Sequence, residues 1–170
     1  WISAWGEQEQ EKSTGVKSLS NINTIFFCGH KPGYTQAELE ELLMTAVLSV
    51  PNELNKTFRY VRTQEEPFTV SINAVAKKNV IISDAKDEVQ KLLEAQFGRD
   101  ATTFGDSYQS DVAAGKQFAQ VQVKDLWRVI EELGLFISYD VQTNNLKTAV
   151  QLNDFIYLDV ANSSIEINYL

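Results

Sequence analysis

Cys28 and His30 stand two residues apart beside a glycine, and residues i and i+2 of an extended segment share a face. A thiol and an imidazole on one face are the parts of a nucleophile and its base. Against that chemistry, Cys28 completes the apolar run Ile25-Phe26-Phe27. The run predicts a small core residue followed by a surface histidine, both chemically idle. These are the chain's single cysteine and single histidine, too few nitrogen and sulfur ligands for a structural zinc site. The carboxylate pairs Glu40-Glu41, Glu65-Glu66, Asp87-Glu88 and Glu131-Glu132 fall on outer helix faces or at a turn, where solvated charge is expected. Gly29 and Gly33 form neither a dinucleotide fingerprint nor a phosphate loop. No catalytic, cofactor-binding or metal-binding residue is assigned, and no cofactor is expected.

The charge balance points away from nucleic acid. Fifteen Lys and Arg stand against 23 Asp and Glu, a formal net charge of −8. The densest basic spots, Lys77-Lys78 and Arg59 with Arg62, are only pairs, whereas a phosphate-binding surface needs clustered cations. No segment reaches the roughly 18 uninterrupted apolar residues of a membrane span. A lone cysteine builds no internal disulfide framework, and an intracellular or virion setting is expected.

Elements must position whatever the chain does, and their order is legible. Residues 1–22 are polar and irregular apart from Trp1 and Trp5, and read as a linker arriving from a preceding part of a longer protein. Asn23–Cys28 reads as a buried strand. Thr35 and Glu38 have capping-box spacing, predicting a helix over 35–50 with an inner stripe of Leu39, Leu42, Leu43, Ala46 and Val47, ended by Pro51. A strand follows near Phe58–Val61, then a turn at Glu65-Glu66-Pro67, then a strand over 68–76 with alternating burial. Helices are expected over 84–97 and 124–133, the latter stopped by Gly134, and strands over 135–141, 154–160 and 165–169. Between the last two helices, 98–118 is a long, glycine-punctuated loop of the kind that often carries a function.

The expected architecture is α+β: two consecutive small split-βαβ, ferredoxin-like units with helices on one face of mainly antiparallel sheets. The first unit spans 23–66 and the second 67–170. Several aromatic residues fall outside the predicted strands: Trp1 and Trp5 in the leading segment, and Phe104, Tyr108 and Phe118 around the loop. They either pack on their own domain or anchor a partner, and they are the candidate interface.

The second half resembles the C-terminal part of baseplate J-like proteins, wedge components of contractile phage tails and related injection machines. The likeness runs through Pro67 to Val75, Ser83 to Phe97, Val123 to Ser138, Asp154 to Leu158 and Ser164 to Asn168. Upstream, Asn23–Cys28, the capped helix and Arg59 to Thr63 look like the strand–helix–strand unit that precedes it, and Trp5 to Glu9 is similar to the junction with a larger N-terminal part. The resemblance implies a virion structural protein, assembled in the host cytoplasm. Its partners would be other baseplate subunits and copies of itself, joined in a ring around the tail tube without turnover. The readings from other classes are a small enzyme using Cys28 with His30, and a ligand-binding domain using the 98–118 loop.

Overall fold

A computed structural model of the chain describes residues 1–51, 55–101 and 121–170. Among them are four α-helices and two sheets, of three and four strands, so the protein is mixed α+β. The chain divides into two compact units. One comprises Trp1–Glu65 with Val150–Phe155, the other Glu66–Ala149 with Ile156–Leu170.

The first unit corrects the expectation of a linker over 1–22. Ile2–Trp5 is a strand, β1, and Glu7–Thr14 a helix, α1. β1 runs antiparallel to β2 (Thr24–Gly29), with Trp5 opposite Phe26. The partner lies some twenty residues away, so the local polar sequence around Trp5 says nothing of its burial. α1 buries no residue and is held by end effects. The Glu9 carboxylate accepts from the Gly6 N–H at 3.1 Å, and Glu7 and Glu9 sit at the positive end of the helix dipole.

From β2 the chain passes through α2 (Gln36–Leu48) to β3 (Thr57–Tyr60), which lies parallel to β2. Parallel neighbours require such a crossover. Because β2 and β3 are direct neighbours in the order β1-β2-β3, this strand–helix–strand is an unsplit βαβ, not the split form expected. The capping box is present: Thr35 Oγ1 accepts from the Glu38 N–H at 3.3 Å, and Glu38 Oε2 accepts from the Thr35 N–H at 2.8 Å. The Thr35 N–H and hydroxyl both donate to the Glu38 carboxylate and hold its pKa below the ordinary value. Thr35→Ala is expected to destabilise the first unit by about 1 kcal/mol, read as faster native-state hydrogen exchange of that unit's amides.

α2 approaches β2 over Gly29, where a Cβ would meet the side chains of Leu39 and Leu43 at 3.5 Å and the Trp1 carbonyl at 3.1 Å. Of the predicted stripe only Leu39 is fully buried, and Leu42 and Ala46 are exposed. Leu43 and Val47 are half-buried, so among the described residues the three-stranded sheet covers this thirteen-residue helix only in part.

The second unit is built on β4 (Gln64–Ala76). Glu65-Glu66-Pro67, expected as a turn, belongs to this strand. Pro67 is tolerated because the ladder to β5 (Phe136–Asn144) begins only at Thr69, so its missing N–H breaks no bond there. β4 also bonds β6 (Asp154–Leu158) and runs parallel to β7 (Ser164–Asn168). Each sheet therefore contains an antiparallel and a parallel pair, where mainly antiparallel sheets were expected.

Phe68, Val70, Ile72, Ala74 and Ala76 alternate along β4 and are all buried, as their period of two predicts. Their cover is α3 (Ile82–Phe97), with Ala85, Val89, Leu93 and Phe97 inward, and α4 (Val123–Glu132), with Leu126, Val129 and Ile130 inward. α3 packs on β7 and α4 on β5, and the two helices touch. Across the opposite face, Asp140, Asn73 and Glu166 form an exposed polar row. Gly134 ends the α4 segment at φ 63°, the left-handed conformation its position predicts. The predicted second unit, 67–170, is interrupted: residues 150–155 return to the first unit and bring Leu152 against Trp5, Phe26 and Cys28.

Candidate functional site

The cysteine and histidine lie at the end of β2, inside the first unit. Cys28 is completely buried in a cluster with Trp5, Phe26 and Leu152, with Trp1 and Val61 packed against it. Its Sγ lies 3.9 Å from the Leu152 carbonyl oxygen. Burial pushes the thiol pKa up to about 12, and the negative charge of Asp154 acts in the same direction. Hydrogen bonds from the Thr63 side chain and the Ser3 backbone offset only part of the rise. A nucleophilic cysteine needs the opposite environment, one that stabilises thiolate.

His30 is the correction here. The sequence suggested a surface residue, yet the imidazole is 6% exposed. Its ring stacks on Phe155 at 4.4 Å with 13° between planes, and its Nδ1 is 3.8 Å from Glu65 Oε1. Phe155 arrives in the 150–155 return, a contact no local pattern announces. Glu65 and Glu66, expected as solvated charges at a turn, are half-buried and differently engaged: Glu66 pairs with Lys147 at 2.8 Å within the second unit.

Thr63, which no motif marks, ties this region together. Its hydroxyl donates to the Gly29 carbonyl at 2.6 Å and accepts from the Gly29 N–H at 3.1 Å. The Gln36 side-chain oxygen accepts from both the Thr63 N–H, at 3.0 Å, and the Tyr60 hydroxyl, at 2.8 Å, pinning the start of α2 to the exit of β3. Strand, helix and return segment thus meet in a packed polar and aromatic cluster.

The proposed interface residues divide sharply. Trp5 is 7% exposed, stacked on Phe26 at 6.2 Å, and its indole N–H donates to Gln10 Oε1 at 2.6 Å. That side chain is committed to the unit's own core, and the expectation of a partner anchor is corrected. Trp1 is half-buried against Phe155 at 5.3 Å. Its ammonium donates to the His30 carbonyl at 3.0 Å, and burial lowers its pKa. Phe104, Tyr108 and Phe118 lie outside the described residues, as does the 98–118 loop beyond residue 101.

Exposed aromatic surface occurs where sequence reasoning did not look for it. Trp127 on α4 is 36% exposed and lies 5.2 Å from Tyr139 on β5. The available signal was helical phase: Val123 and Trp127 are four residues apart and fall beside the Leu126–Val129–Ile130 stripe, not within it. Among the described residues, no three His, Cys, Asp or Glu side chains converge as a metal site, and no helix is long and apolar enough to cross a membrane. No family model matches the sequence, and no curated protein matches it.

Proposed function

We propose that this chain is a structural component of a phage-tail-like baseplate, joining other baseplate subunits and copies of itself by protein–protein contacts and turning over no substrate. The observation that supports this reading is the order of segments: the stretches carrying the likeness to baseplate J-like proteins fall on successive strands and helices, β4, α3, α4 with β5, β6 and β7. Two helices lie over one face of the four-stranded sheet, the layering of a ferredoxin-like unit, but among the described residues in the order β-α-α-β-β-β and not the β-α-β-β-α-β of that unit. In this proposal the protein resides in the virion and is assembled in the host cytoplasm. Its contacts are made by surfaces, in line with a thiol that burial keeps protonated.

Cross-linking mass spectrometry on intact tailed particles from the organism encoding the chain tests the proposal. Links from the second unit or the 98–118 segment to another subunit or another copy are expected. Absence of the protein from purified particles would overturn the function. Its presence with links confined to residues 1–9 would return the interface to the leading segment.

A further inference from the structure

Among the described residues, the second unit's sheet has one long edge without a strand beside it. β5 runs nine residues and, among the described strands, pairs only with β4. The outer strands of the first unit's sheet are four residues each, and β7 is five. Open edges are usually blunted by lysine, proline, a bulge or brevity. β5 carries no lysine and no proline, its only charge is Asp140, and the register shift opposite Val75/Ala76 disturbs only its first residues. From Ser138 to Asn144 the ladder to β4 is regular, and among the described residues no strand lies beside the outward N–H and C=O groups.

Beside this row lies an apolar shelf. α4 packs on β5, and Val123 and Trp127, one turn apart, are each 36% exposed; Ile137 in the strand is 55% exposed. The Trp127 and Tyr139 rings meet at 5.2 Å with a 46° tilt. Two carboxylates flank the shelf, while on α4 Lys124 is exposed and Arg128 is paired with Asp125 and Glu132. Glu131 lies close enough to raise the Tyr139 hydroxyl pKa, secondarily to burial, and Asp140 projects from the opposite, solvated face of β5.

We propose that this edge docks an extended strand of a partner protein, one that lays apolar side chains on Trp127 and presents lysine or arginine to Asp140. Backbone amides in a row are matched only by another extended chain, and strand alternation sends successive side chains to the two faces. The charge of the occupant follows from the carboxylates, since like charges directly opposite on paired strands are unfavourable. A second copy would bring its own Asp140 and Glu131 to the same edge, on a chain already at −8. The inference goes beyond the baseplate reading and stands on the β5 edge alone.

The test uses the whole chain and a blocked nine-residue peptide alternating valine and lysine, with a valine–glutamate peptide as control. Hydrogen exchange of the Ser138–Asn144 amides is expected to slow on adding the lysine peptide and to be unchanged by the glutamate one. Asp140→Lys should weaken binding roughly tenfold by replacing an attractive cross-strand pair with a repulsive one. Trp127→Ala should weaken binding through the apolar face while leaving the free chain's exchange pattern intact. Binding without slowed β5 exchange, or equal binding to the wild type and Asp140→Lys, would overturn the proposal. A free protein that is already a dimer with protected β5 amides would overturn it too, in favour of a second copy at the edge.

Discussion

Trp5→Ala is expected to destabilise the first unit by about 3–5 kcal/mol, the range for truncating a buried large aromatic side chain. The indole fills the core with Phe26, Cys28 and Leu152, and β1 has β2 as its only strand neighbour in the sheet order β1-β2-β3. Removing it opens a cavity, strands the Gln10 side-chain oxygen that accepts from the indole, and loosens an edge strand whose fourth residue is Trp5. Native-state hydrogen exchange reports the loss unit by unit: amides of β2 should exchange faster by orders of magnitude, while those of β4 change little. A single denaturation midpoint is a poorer readout for a chain of two units. If Trp5 served instead as a partner anchor, the isolated variant would keep its stability to within about 0.5 kcal/mol, the usual range for surface changes.

The second large effect concerns Cys28. A thiol whose pKa stands at about 12 instead of 9.0 is about a thousandfold poorer in thiolate at neutral pH. Alkylation of the native protein should therefore be far slower than that of an exposed cysteine, at a rate set by opening of the first unit, which both exposes the thiol and returns its ordinary pKa. Rapid alkylation that slows in His30→Ala would restore the nucleophile-and-base reading.

Stability should carry the same signature, with a definite sign. The folded state favours the neutral thiol, so below about pH 9 both states keep the proton and Cys28 contributes no pH dependence. Between about pH 9 and pH 12 the unfolded chain releases a proton that the folded chain holds, and stability falls by about 1.4 kcal/mol per pH unit. Tyr60, its pKa raised by burial, adds a slope of the same sign at higher pH. Cys28→Ala should flatten the alkaline limb beginning near pH 9 and leave the tyrosine part. Equal slopes in wild type and variant between pH 9 and pH 10 would show that the thiol is not buried as described.

Periodicity and end signals, both written in adjacent residues, determined much of this protein. Thr35 and Glu38 announce α2, the alternation from Phe68 to Ala76 announces β4, and Gly134 announces the end of α4; each is decided within a few residues by hydrogen bonds or by one buried face. The burial of Cys28 was legible too, from the apolar run it closes. Tertiary structure alone decided the rest. Trp5 looks stranded in a polar segment until β2 lies beside it, and His30 looks exposed until Phe155, 125 residues further on, covers its ring. The return of 150–155 to the first unit and the adjacency of β2 and β3 are choices of partner, made by burial between segments far apart in the chain. Pattern reports which face of an element is apolar, and the same pattern is compatible with many partners. The β5 edge, unpaired among the described residues, shows the limit most directly, because a strand's sequence does not record whether one of its sides or both will find a neighbour.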